Sequence, residues 1–144
     1  MSTPEDPAAR CQHVLVVEDE SLIALLHEQT LESAGFRVSI AASGEQALAI
    51  AREVCPDGVV LDMRFSGALQ GPEVLRLLRG VARNLPVVVV TGFSLTPDQR
   101  RELDQTGGGP PVPVLRKPCD PDLLVAELVA CLGRGGGGTA ALRR

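Results

Sequence analysis

Short apolar runs and helical stripes alternate along this chain from residue 13 to residue 133. "HVLVV" (13–17) is a Val-rich run of strand length. "SLIALLHEQTLESAG" (21–35) places Leu22, Leu25, Leu26 and Leu31 at helical spacing, with Ser21 as the predicted cap and Gly35 as the stop. "FRVSIAA" (36–42) alternates as a strand with one polar face. "SGEQALAIAREV" (43–54) is Ala-rich and helical, with Ser43 able to cap it and Pro56 breaking it. "DGVVLD" (57–62) is the next strand, and "GPEVLRLLRGVAR" (71–83) the next helix. Pro72 falls in that helix's first turn, where its missing N–H would be unpaired anyway. "PVVVVT" (86–91) is the most strand-like run. "TPDQRRELDQ" (96–105) reads as a short polar helix capped by Thr96 and opened by Pro97. "VPVLRKP" (112–118) is a strand, and "DPDLLVAELVACLG" (120–133) a helix capped by Asp120, opened by Pro121 and closed by Gly133.

Strict alternation of five strands and five helices predicts parallel strands joined by right-handed helical crossovers. Continuous Val/Leu runs predict strands covered on both faces. The expected fold is an α/β three-layer sandwich, helix–sheet–helix. In such sheets ligands sit outside the carboxyl ends of the strands. The first strand delivers Glu18, Asp19 and Glu20 to that edge, the third Asp62, the fourth Thr91 and Gly92, and the fifth Lys117 and Pro118. The second offers only the small residues "AASG".

Composition narrows the function. With 144 residues, 44% of them hydrophobic, the chain holds one sizeable core, built from Val, Leu, Ile and Ala because there are three Phe and no Tyr or Trp. Residues 12–132 are the expected domain. Residues 1–11 and the Gly-rich 133–144 are expected to be flexible tails, the latter a tail or linker. No window has the length of an apolar membrane span and the N-terminus has no signal-peptide core, so the expected setting is cytoplasmic, with no membrane partner. A net charge of −4, no Lys/Arg run and few aromatics argue against nucleic-acid binding by this chain alone. Cys11, Cys55, Cys119 and Cys131 are scattered, form no C-x-x-C pair and complete no zinc pattern with His13 and His27; they read as reduced structural thiols.

The carboxyl edge is where chemistry is expected. Two or three carboxylates within a few ångströms repel one another, and a divalent cation removes the conflict; hard oxygen ligands suit Mg2+. Lys117 can pair with Asp62 or with a phosphoryl group bonded to it, and Thr91 offers a hydroxyl donor. Together these parts suit a transferring phosphoryl group with Asp62 as nucleophile.

Four motifs in this order, "VLVVEDE", "VVLDM", "VVVVTG" and "VLRKP", resemble those of the response-regulator receiver domain of two-component signalling, over roughly residues 12–132. The resemblance implies a flavodoxin-like five-stranded parallel sheet in the order 2-1-3-4-5. It implies that Asp62 accepts phosphate from a phosphohistidine on a sensor histidine kinase or histidine phosphotransfer protein. Asp19 would bind Mg2+ directly, Glu18 through water, and Asp62 and the backbone carbonyl of Arg64 would complete the protein ligands. Lys117 would bridge to the phosphoryl group, its bond to Pro118 often being cis in similar proteins, and Thr91 would move toward it and carry the signal. Such a domain is a phosphoacceptor that assists its own phosphorylation and dephosphorylation, rather than an enzyme. It would act on a downstream protein as a monomer or weak homodimer, often through its fourth helix, fifth strand and fifth helix.

Four departures accompany the resemblance. Val114 stands where many receivers have Tyr or Phe. "TGF" puts Phe93 just past Thr91, so that Arg64 and Phe93 are expected to flank the water path to the acyl phosphate. The loop after Asp62 is long, and "DQTGGGPP" (104–111) is expected to loosen the fourth helix region until phosphorylation orders it. Other readings are a receiver cut from a hybrid kinase, a non-phosphorylated pseudo-receiver scaffold, and an aspartate-nucleophile phosphatase. The last needs a second acid two residues past the nucleophile, where Arg64 stands.

Overall fold

The computed structural model describes residues 12–63, 71–92, 95–105 and 112–135. Strands β1 (His13–Val17), β2 (Arg37–Ala41), β3 (Gly58–Asp62), β4 (Val87–Thr91) and β5 (Val114–Arg116) alternate with helices α1 (Ser21–Ser33), α2 (Gly44–Val54), α3 (Gly71–Val81), α4 (Pro97–Gln105) and α5 (Pro121–Gly135). All neighbouring strands are parallel, in the order β2-β1-β3-β4-β5. Each expected element is present.

The period of two along each strand sorts the core into two layers. Leu15, Val17, Val59, Leu61, Val87 and Val89 meet α2, α3 and α4 through Ala47, Leu48, Val74, Leu75, Leu78 and Leu103. The intervening Val14, Val16, Val60, Val88 and Val90 meet α1 and α5 through Leu31, Leu124, Leu128 and Leu132. Strands β1, β3 and β4 are buried along their whole length, which accounts for their uninterrupted apolar sequence. At the edge, β2 is only partly covered, matching its alternating pattern.

Local signals set most helix ends. Gly35, at φ 100°, ends the first helical segment: its N–H donates to Glu32 O and that of Phe36 to Leu31 O, at 3.0 Å each. The Ser43 hydroxyl accepts from the Gln46 N–H at 3.1 Å, and Asp120 Oδ1 from the Asp122 N–H at 2.9 Å. Thr96 and Gln99 form a reciprocal capping box, at 3.1 and 2.8 Å.

Two boundaries differ from expectation. Ser21 is the first residue of α1 rather than its cap; Glu20 occupies the cap position with no side-chain cap bond, and its own N–H is held by the Glu18 carboxylate at 3.2 Å. Helix α5 runs through Gly133 to Gly135, because nothing in Gly133 forces the chain out of a helix.

The larger correction lies on α1. Its inward residues are Ala24, His27 and Leu31. Leu22, Leu25 and Leu26 are 76, 45 and 61% exposed. The run "LIALL" is apolar all round, so periodicity alone could not choose a face. Packing on the sheet chose the one continued by His27 and Leu31. On α5, Leu123 and Val129 are exposed.

Candidate functional site

The carboxyl ends of β1, β3 and β5 bring three charged side chains together. Glu18, Asp62 and Lys117 continue the alternation of Val14/Val16, Val60 and Leu115, the strand positions that face α1 and α5. Lys117 Nζ lies 3.0 Å from Glu18 Oε1 and 3.3 Å from Asp62 Oδ1. Glu18 and Asp62 are buried, at 3 and 6% exposure, while Asp19 is exposed. Burial raises the Glu18 pKa above the ordinary carboxylate range, with the Asp62 charge adding to it against the hydrogen bond from Lys117. Burial opposes the charge of Lys117, but the hydrogen bond to Glu18 and the two carboxylates outweigh it and hold its pKa above the usual lysine value.

Three of the four expected metal ligands, all but the Arg64 carbonyl, lie among the described residues and come together. Carboxylate oxygens of Glu18, Asp19 and Asp62 lie within 4.8 Å of one another. Such a hard, partly open oxygen set fits Mg2+, which keeps several waters and few protein ligands. Lys117 alone does not neutralise three carboxylates.

Thr91 closes the edge beside Asp62. It is fully buried, and its carbonyl accepts the Lys117 N–H at 2.7 Å. Along β4 it shares the alternation of Val87 and Val89, which face the α2–α3–α4 layer. The Lys117–Pro118 peptide is cis, as expected. Val114 is partly buried against that same layer. Arg64, Phe93 and most of the loop following Asp62 lie outside the described residues, as do 106–111 and both expected tails up to residue 11 and from 136.

Behind Asp62 the chain is tightly fitted. The Met63 N–H donates to Val90 O at 3.3 Å, and Met63 O accepts the Gly71 N–H at 3.3 Å. A Cβ on Gly71 would lie 2.9 Å from Met63 Sδ and 3.0 Å from Met63 O, so glycine is required for this close approach.

Sequence reasoning missed two features. One is that Glu18, and not only Asp62, holds Lys117; the equal alternation of positions 18, 62 and 117 was the available signal. The other is His27, buried beneath this edge, where burial first, and then the Lys117 charge, lowers its pKa. A lone His within a leucine run gives no such signal.

Among the described residues, no helix is long and apolar enough to cross a membrane. Among the same residues, Cys55, Cys119 and Cys131 form no disulfide.

Comparison with known proteins agrees with this geometry. The transcriptional regulatory protein YkoG of Bacillus subtilis, itself uncharacterised, is 36% identical over 124 residues, covering 86% of this chain and 52% of YkoG. The DNA-binding response regulator MtrA of Mycobacterium tuberculosis is 33% identical over 123 residues, 85% of this chain and 51% of MtrA. The chain thus spans about half the length of these relatives. Among solved structures, the chemotaxis protein CheY4 of Vibrio cholerae superposes with a TM-score of 0.75 at 27% identity, over 84% of this chain and 98% of that one. A response regulator receiver protein from Sinorhizobium medicae gives 0.75 at 29%, over 87% and 97%. The family model of the response regulator receiver domain matches residues 14–129, and the chain belongs to that family.

Proposed function

We propose that this chain accepts a phosphoryl group on Asp62 from a phosphohistidine of a sensor histidine kinase or a histidine phosphotransfer protein, and passes the signal to a protein partner in the cytoplasm. The observation that carries this reading is the ammonium of Lys117 set between Glu18 and Asp62, with Asp19 beside them.

Asp62 supplies the attacking oxygen: its bond to phosphorus forms as the phosphorus–nitrogen bond of the donor imidazole breaks, and the electron pair leaves with that nitrogen. Lys117, already 3.3 Å from Asp62 Oδ1, is placed to pair with a phosphoryl oxygen. Glu18 holds that ammonium in place from the far side. The Thr91 hydroxyl would donate to another phosphoryl oxygen. Glu18, Asp19, Asp62 and the Arg64 carbonyl would hold Mg2+. A bound Mg2+ would supply positive charge for the transferring oxygens. Arg64 and Phe93 would set water access to the acyl phosphate. Phosphorylation would order the region around α4.

The DNA binding in the name of MtrA belongs to a chain about twice as long and is not carried over. The test is incubation with acetyl phosphate and Mg2+, read by intact mass. One phosphoryl group is expected, and none in Asp62→Asn. Absence of uptake by the parent chain would favour a protein-binding scaffold instead.

A further inference from the structure

A groove between α1 and the start of α5 contains a buried polar group that no described residue satisfies. Its volume is about 300 Å³, and Ile23, Leu26, Pro118, Pro121 and Leu124 make most of its wall. Lys117, Cys119, Thr30 and His27 line it as well. His27 is only 9% exposed, and its Nε2 is buried with no hydrogen-bond partner among the described residues. A buried polar atom left in this state lowers stability, and a ligand group that reaches it restores the lost bond.

Size, charge and hydrogen bonding define the occupant. The volume is about twice the roughly 150 Å³ of an apolar cavity that takes up benzene, so it suits two fused rings. A rigid ring system also loses little conformational freedom on binding. Charge of either sign is disfavoured. The flanking stretches 21–33 and 120–124 carry Glu28, Glu32, Asp120 and Asp122 and no Lys or Arg, which repels an anion. Lys117 is already held by Glu18 and Asp62, and a cation in the groove would meet its ammonium. Burial keeps the lining itself uncharged, lowering the His27 pKa and raising that of the Cys119 thiol. A hydroxyl both donates and accepts, so it suits the imidazole nitrogen in either tautomer.

We propose that the α1–α5 groove is a binding site for a small uncharged aromatic molecule of two fused rings with one hydroxyl, which hydrogen-bonds to His27 Nε2 while the rings pack on Ile23, Leu26 and Leu124. The site needs no phosphoryl transfer, so it stands whether or not Asp62 is the phosphoacceptor.

The probe is 2-naphthol, titrated into the full chain at pH 7 and followed by its own emission, free of overlap because the chain has no Trp or Tyr. Saturable one-to-one binding is expected, with a Kd on the order of 0.1 mM for a ligand of this size. The charged analogue 2-naphthoate should bind at least tenfold more weakly. Amide shift changes in nitrogen-15 labelled parent chain should centre on 23–30 and 117–124, a readout that needs no variant to fold. His27→Phe keeps a ring but removes the nitrogen, and should raise the Kd about tenfold. His27→Gln keeps a hydrogen-bonding end and should raise it less. Thermal melts establish that each variant is folded. No saturable binding below about 2 mM would overturn the site and leave the groove to a macromolecular partner. Shift changes elsewhere on the fold would overturn it too, as would equal affinity for 2-naphthoate or an unchanged Kd in folded His27→Phe. An apparent Kd that rises with protein concentration, with a dimer in sedimentation, would assign the groove to a second copy of this chain instead.

Discussion

Lys117 is held more closely by Glu18 than by Asp62, at 3.0 against 3.3 Å, so the ammonium is shared between a metal-site carboxylate and the phosphoacceptor. Lys117→Ala leaves two buried carboxylates facing each other without their cation. We expect it to destabilise the fold by about 1–3 kcal/mol at neutral pH, less than for a fully buried pair because Lys117 is partly exposed. Saturating Mg2+ should recover much of the loss, by binding the folded state alone. Urea unfolding with and without Mg2+ checks both. A variant as stable as the parent without metal would show that water already screens these carboxylates.

Gly71 ties the first turn of α3 to the residue after Asp62. In Gly71→Ala the new Cβ meets the Met63 backbone and sulfur at about 3 Å, and backbone has little room to give. The expected cost is about 1–3 kcal/mol. Because Met63 adjoins Asp62, labelling by acetyl phosphate should also slow by several-fold. Gly80, whose Cβ would meet nothing within 4 Å, provides the matched control, where Ala should be neutral or mildly stabilising in its helix.

The contrast between α1 and β3 shows what was legible in the sequence. In β3 an apolar run bounded by Pro56 and ending in Asp62 has one reading as a two-faced strand, and the structure buries all five residues of it. The caps Ser43, Thr96 and Asp120 are local, short-range bonds, so sequence finds them directly. In α1 five apolar residues in a row offer every face at once, and only the sheet beneath selects Ala24, His27 and Leu31. The site was legible as a collection of strand ends because parallel topology forces them to one edge. The sharing of Lys117 was not, since it depends on side-chain reach between residues 99 positions apart.

Both histidines predict loss of stability in acid. His13 is buried, with its Nε2 at 2.7 Å from Ser39 Oγ and its Nδ1 unpartnered among the described residues; burial and the Arg37 charge lower its pKa from 6.5, against the pull of Asp57. His27 is shifted in the same direction, by burial first. A lowered folded pKa means that the unfolded chain binds the proton more tightly. Stability from these groups is full above about pH 6.5 and is lost as pH falls through 6.5 toward the folded values. Melting temperature should therefore decline from pH 7 to pH 5. His13→Gln, which keeps a hydrogen-bonding side chain but does not titrate, should reduce the slope over that interval while lowering stability at pH 7 only modestly. An unchanged slope in His13→Gln would assign the effect to His27.

Arg79 predicts the opposite kind of mutant, one that stabilises. It is 3% exposed, its Nε donates to Leu85 O at 3.3 Å, and Nη1 and Nη2 are buried with no partner among the described residues. Burial lowers its pKa, yet a guanidinium still keeps its charge at neutral pH, so among the described residues it is a buried cation without a carboxylate partner. Arg79→Met retains an unbranched apolar stem of similar reach in the α3 core face and removes the charge. It leaves Leu85 O without its donor, a cost of about 1 kcal/mol that is smaller than the desolvation of the guanidinium. The net expectation is a gain of about 1–3 kcal/mol, seen as a melting temperature several degrees higher, with acetyl phosphate labelling of Asp62 unchanged because Arg79 lies outside the carboxyl edge. Arg79→Lys, which keeps a buried cation, should give no such gain. If Arg79→Met melts lower than the parent, ordered water must already satisfy the guanidinium.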